Sequence, residues 1–293
     1  MVHSKYFGII TVLSASIMWA VEPIFAKLSY QNSDFVHTSG IRAMFVTLTA
    51  FIYVAFSGKK NFLVSRKQFP SLIYVAIAGT IFAGFIYFFA LTKIPVVNAV
   101  LIGHMQPIFI ILIGFFALKE DKLTKFDFAG ISLMILSGVL VTTKRIENFM
   151  LLKFGTFEDL MVLTATISWA TTAIVARKYL RKMNAGSITF YRFLFASIFF
   201  IFFIETTSDL KISNAYQIVV GIVVGIGTIF YYEGLKRIKA AQVSAIELST
   251  PFFASILGFL ILHEALTKMQ IAGILLLFTG IYYLSKKEEL KAV

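Results

Sequence analysis

Glu22 and Glu247 stand deep inside apolar stretches of this chain, where an ionisable side chain is expensive and marks a functional position by default. Glu22 follows Trp19 by three residues, so the two share one face of a helix. An acid beside an indole suits an ammonium or another organic cation, by charge and by cation–π attraction. A desolvated carboxylate there could also load and release a proton. The competing reading is a glutamate paired with a neighbouring Lys or Arg, or turned to water. Glu247 precedes Pro251 by four residues, and His104 and Gln106 lie just before Pro107. A proline removes one helical hydrogen bond and frees a carbonyl, so Pro107 and Pro251 mark helix breaks beside polar side chains. An unperturbed His titrates near neutrality and could relay protons; a lone His is also a common bonded packing residue. Trp19, Trp169, Tyr87 and Tyr231 either line a cavity or pack.

These residues recur at fixed spacing. The run VLSASIMWAVEPIFAK from Val12 to Lys27 returns as VLTATISWATTAIVAR from Val162 to Arg177. Eight of the fifteen positions from Val12 to Ala26 are identical at that offset, including a Trp on a Trp in a chain with only two. Arg42 falls on Arg192 at the same spacing, and later Tyr87 falls on Tyr231, Pro107 on Pro251 and Glu120 on Glu264. The chain is two copies of one unit, residues 1–147 and 148–293. Residues that break the symmetry are the better candidates for recognising an asymmetric solute: Glu22 stands opposite Thr172, and Glu247 opposite Gly103.

The elements that carry these residues are membrane helices. Hydrophobic residues make up 58% of the chain and mean hydropathy is +0.85, against about 45–50% apolar residues in soluble domains. The apolar runs are long enough to cross about 30 Å of hydrocarbon as helix and lack the alternation of a β-barrel. Ten segments follow, near 7–28, 36–57, 70–92, 96–118, 126–143, 159–180, 186–204, 213–235, 240–262 and 269–285. Eighteen of the 27 Lys and Arg fall on the side of the N-terminus, which makes that side cytoplasmic by the positive-inside rule. Each copy has five spans, an odd number, so the expected fold is an all-α membrane protein of ten helices in two inverted repeats, both termini cytoplasmic. Inverted repeats are typical of secondary transporters, with the solute bound near the midplane between them.

By that topology Arg42 and Glu264 lie toward the outside, and Arg192 and Glu120 toward the cytoplasm. Any ion pairs among them are then expected across the repeats, Arg42 with Glu264 and Arg192 with Glu120, as outer and inner gates. The alternative is snorkelling to headgroups.

The residues quoted resemble the EamA-type branch of the drug/metabolite transporter superfamily. The Trp-Ala of segments 1 and 6, the arginines at Arg42 and Arg192, and the fourth-segment patterns AsnAlaVal…Pro107…LeuLysGlu120 and AlaGlnVal…Pro251…LeuHisGlu264 carry the likeness. The resemblance implies a central cavity lined by segments 1–4 and 6–9, segments 5 and 10 at the periphery, and transport of small metabolites, often export of amino acids. The substrate site expected is Trp19, Glu22, Tyr87, His104, Gln106, Trp169, Tyr231 and Glu247. No cofactor or metal is expected: Cys is absent, and the four His include no metal-spaced pair. The net charge of +12 is read as helix-flanking Lys and Arg, without nucleic acid as a partner. The partners expected are a small-molecule substrate and the bilayer, in a plasma-membrane setting; a homodimer through segments 5 and 10 is left open. An integral membrane enzyme or a channel is the rival class. Neither a convergent catalytic set nor a ring of charge supports it.

Overall fold

The computed structural model describes residues 2–57, 62–116, 124–152, 155–238, 243, 246–247 and 249–290. All regular structure among them is helical. The elements are α1 (Val2–Ser29), α2 (Phe35–Ser57), α3 (Phe69–Ala76), α4 (Ala83–Leu91), α5 (Val96–Gly103), α6 (Gln106–Phe116), α7 (Lys125–Thr143), the short α8 (Ile146–Met150), α9 (Phe157–Val175), α10 (Ala185–Thr207), α11 (Ala215–Arg237), α12 (Ser249–Leu262) and α13 (Lys268–Leu290). Widened π turns continue α3 into α4 at Ile77–Phe82 and extend α9 at Ala176–Leu180. Among the described residues, eight helical stretches are long and apolar enough to cross a membrane, and Ser249–Leu262 and Lys268–Tyr283 are shorter apolar helices. Large apolar side chains such as Phe56 and Phe202 project outward, as lipid contact requires.

Polar caps set the helix ends. Thr124 with Asp127, and Thr156 with Asp159, form capping boxes at the starts of α7 and α9; each satisfies amides that the first turn leaves free. Asn184 and Asn214 cap α10 and α11 from their side-chain oxygens. Asp34 accepts from the amides of Val36 and His37 at the start of α2. Partial burial opposes ionisation of Asp34, but the His37 and Val36 hydrogen bonds outweigh it and hold the carboxyl below its usual range.

The main packing runs across the halves. α1 packs on α11 and α12; in exchange, α9 packs on α4, α5 and α6. α2 packs on α11, and α10 on α3. α2 with α10, α5 with α12, and α7 with α13 pair like with like. Swapping the halves maps each of these contacts onto another, the pattern of a pseudo-two-fold. Small residues permit the closest approaches: a Cβ on Gly234 of α11 would lie 2.2 Å from Val12 of α1, and one on Gly280 of α13 would lie 2.9 Å from the Gly130 carbonyl of α7.

The fourth segment differs from a single helix. It breaks at His104 and Met105, between α5 and α6. Pro107 therefore sits at the start of α6, where a missing amide proton is no loss. Pro251 likewise lies in the first turn of α12.

Candidate functional site

A cavity of about 940 Å³ lies between the two halves, at the upper end of the size range for ligand pockets. It brings together all eight residues expected at the substrate site: Trp19, Glu22, Tyr87, His104, Gln106, Trp169, Tyr231 and Glu247. Arg42, Arg192 and Pro107 also line it, whereas Pro251 and Glu264 do not. The lining extends to the exposed Arg177, Lys178 and Arg181, at the end rich in Lys and Arg. Asp127 of α7 and Ile281 of α13 contribute to it, so the fifth and tenth segments are not wholly peripheral.

The aromatic walls repeat across the halves. Trp19 packs at a tilt against Tyr231 with ring centroids 5.0 Å apart, and Trp169 likewise against Tyr87 at 5.2 Å. Each Trp meets the Tyr of the other copy. The wider turn in the third segment presents carbonyls sideways. Ser168 donates to the Ala78 carbonyl at 2.9 Å, and Trp169 Nε1 to that of Gly79 at 2.8 Å.

The charged residues behave less symmetrically. Arg42, 4% exposed, donates to Glu22 in an ion pair, and its guanidinium lies 4.2 Å from the Phe88 ring centroid. This corrects the expected Arg42–Glu264 pair. Arg42 is seven residues inside α2, about 10 Å from the helix end at 1.5 Å per residue, whereas Glu264 lies beyond the end of α12. Glu22 is likewise seven residues from the end of α1, so the antiparallel hairpin puts the two at one depth. Glu264 instead accepts from Lys27 Nζ at 2.7 Å and from the Val96 amide at 2.8 Å.

Arg192 donates to Thr80 Oγ1 at 2.6 Å, to the Gly79 carbonyl at 3.2 Å and, more weakly, to the Tyr232 hydroxyl at 3.5 Å. It has no acidic partner among the described residues; Glu120, its expected partner, lies outside them. His104 places Nδ1 2.7 Å from the Val100 carbonyl. The Glu247 carboxylate has no hydrogen-bond or ion-pair partner among the described residues.

Beyond the aromatic walls, at the end opposite Arg177, polar contacts tie the two halves together. Lys27 also donates to the Ile94 carbonyl at 2.9 Å. Gln270 donates to Asn98 at 2.8 Å, and Asn98 to Asp159 at 3.2 Å. His37 reaches the Asp209 carbonyl at 3.3 Å. Each cluster joins elements of both halves. The sequence reading passed over Lys27, Asn98, Asp159 and Gln270. Two signals were available: Lys27 falls on Arg177 in the repeat, and Thr156–Asp159 has the spacing of a capping box. Among the described residues no group of three or more His, Cys, Asp and Glu could hold a metal ion.

The fold and cavity described here are those of a membrane protein built from a duplicated unit, and comparison with known proteins agrees. The sequence profile of the EamA-like transporter family matches residues 6–143 and again 156–286; the chain belongs to that family. An uncharacterized transporter of Synechocystis sp. is 30% identical over 74% of this chain and 65% of its own length. An uncharacterized transporter of Methanothermobacter thermautotrophicus is 25% identical over 96% of this chain and 86% of its own. A probable amino-acid metabolite efflux pump of Escherichia coli is 26% identical over 95% of this chain and 94% of its own. One solved crystal structure superposes with a TM-score of 0.69 at 15% identity, covering 99% of both chains; that likeness concerns the fold.

Proposed function

We propose that this chain is a secondary carrier or facilitator that exports a small polar metabolite, such as an amino acid or an organic cation, by alternating access. The carrying observation is the cavity between the halves, lined to the Lys- and Arg-rich end, with the halves tied together at the other by Lys27, Glu264 and Val96. In this reading residues 1–147 and 148–293 are inverted five-span repeats, both termini are cytoplasmic, and the conformation faces the cytoplasm. The exchange of packing partners between halves supports a pseudo-two-fold relation, and five spans per copy, an odd number, would set its axis in the membrane plane. Two nearly equivalent halves can open to either side by repacking the same helices. The relative named as an amino-acid metabolite efflux pump favours the same substrate range. With Glu22 already bonded to Arg42, Glu22 alone is a poor receptor for a cation; the site is better described as a bounded aromatic chamber holding several charges.

Purified protein in liposomes tests the proposal. Preloaded vesicles are expected to show saturable uptake and counterflow of at least one solute from an amino-acid and organic-cation panel, with the solute chemically unchanged. Non-saturating flux would favour a channel, and chemical conversion an enzyme; either outcome would refute the carrier.

A further inference from the structure

The two halves hold their intramembrane charges differently. In the first, Glu22 and Arg42 line the cavity and bond each other. In the second, Glu247 and Arg192 line the same cavity, yet neither has a partner of opposite charge among the described residues. Among the described residues Arg192 bonds neutral acceptors only, the Thr80 hydroxyl, the Gly79 carbonyl and the Tyr232 hydroxyl. These hold its guanidinium in place and carry no charge. Glu247 lines the same cavity with its carboxylate unbonded. Among the described residues, one half thus carries a closed ion pair and the other an open one.

Removing a charge from bulk water is unfavourable unless a counter-charge compensates. Two opposite charges facing one chamber but not each other leave that compensation to a third party. A pure cation would answer Glu247 and be repelled by Arg192; a pure anion would meet the reverse. A solute with both charges answers both. The planar fork of an arginine also matches a carboxylate in two parallel hydrogen bonds.

We propose that Arg192 and Glu247 are the two poles of a receptor for a zwitterion, Arg192 taking its carboxylate and Glu247 its ammonium. Trp19 and Trp169 then face the rest of the solute. The assignment rests on the carrier reading, and it moves Arg192 from a gate to the binding site. The Glu22–Arg42 pair becomes the self-satisfied counterpart, which holds its half together and leaves recognition to the other.

The test uses the full chain in detergent, with melting followed against the twenty L-α-amino acids. The amino acid that stabilises most is then compared with its amide, which lacks the carboxylate, and its N-acetyl derivative, which lacks the ammonium. The wild type should bind the parent at least about tenfold more tightly than either derivative, the scale of a charge-assisted hydrogen bond. In Arg192→Gln the preference over the amide should fall to about twofold or less while that over the N-acetyl form persists. Glu247→Gln should do the opposite. Arg192→Lys keeps the charge, and should keep the preference over the amide even if glutamine at that position disturbs folding. No binding by any amino acid, equal binding of parent and derivatives, or equal loss of all three compounds in both variants would overturn the inference. Saturable exchange in liposomes with flat discrimination would sink this assignment alone. Absence of saturable exchange for every solute would sink the carrier reading beneath it.

Discussion

The Glu22–Arg42 pair makes a quantitative demand on stability. Arg42's side chain is 5% exposed and that of Glu22 16%, and the Arg42 Nε donor is already buried without a partner. Removing the carboxylate's charge in Glu22→Gln therefore leaves a buried guanidinium without a counter-charge, beside the Phe88 and Phe193 rings. Two unit charges about 4 Å apart attract by roughly 4 kcal/mol at an effective dielectric of 20, and breaking a buried pair by removing one partner costs about 3–5 kcal/mol. Glu22 borders the cavity, and water there favours the lower figure, so Glu22→Gln is expected to lose about 3 kcal/mol. Arg42→Gln should cost a similar amount. The double variant should recover at least about half of the summed loss, because an uncharged pair no longer strands a charge. Urea-dependent unfolding of the four proteins in detergent micelles, closed into a double-mutant cycle, measures the coupling. A coupling energy below about 0.5 kcal/mol, the scale of additive sites, would refute the reasoning.

Two further outcomes follow from the packing. Glu264→Gln removes the ionic part of the tie that joins Lys27 and Val96. In a chain without native Cys, a single Gly103→Cys reporter on the cavity lining should then react with an impermeant maleimide from the outer face about tenfold faster, for a loss of about 1.5 kcal/mol; an unchanged rate would show that the tie does not hold that face closed. Gly234→Val would place a Cβ 2.2 Å from Val12 and 3.1 Å from the Gly8 carbonyl. It should destabilise by about 2–3 kcal/mol in the same unfolding assay, whereas Gly114→Ala, with nothing within 4 Å, should be near neutral.

The helices and the cavity residues were legible because the membrane and the duplication both write themselves into composition. Phe35–Ser57 was expected at 36–57 and Lys125–Thr143 at 126–143, since loss of apolar character and capping residues coincide at span ends. The repeat offset placed Trp19, Trp169, Tyr87 and Tyr231 at corresponding depths, and they meet as crossed Trp–Tyr pairs. Charge pairing was harder to read. Symmetry and sidedness alone suggested Arg42 with Glu264, yet partner choice depends on depth along a hairpin. Counting seven residues from each side of the turn between Ser29 and Phe35 would have matched Glu22 to Arg42. The π turn at Ile77–Phe82 had no sequence signal, since its residues also suit an α-helix; it was therefore not foreseen that Gly79 and Thr80 would hold Arg192. Lys27 lies within the first segment by sequence, and its role shows only in its bonds to Glu264 and the Ile94 carbonyl.

Inversion of the two halves is the premise on which transport rests, and two surface positions related by the repeat spacing test it directly. Asn32 follows the first span and Lys182 the sixth, and both are exposed. In intact cells producing Asn32→Cys or Lys182→Cys, an impermeant maleimide should label Asn32→Cys at once and Lys182→Cys only after permeabilisation. Labelling of both from the same side would contradict the inverted architecture and the carrier mechanism built on it.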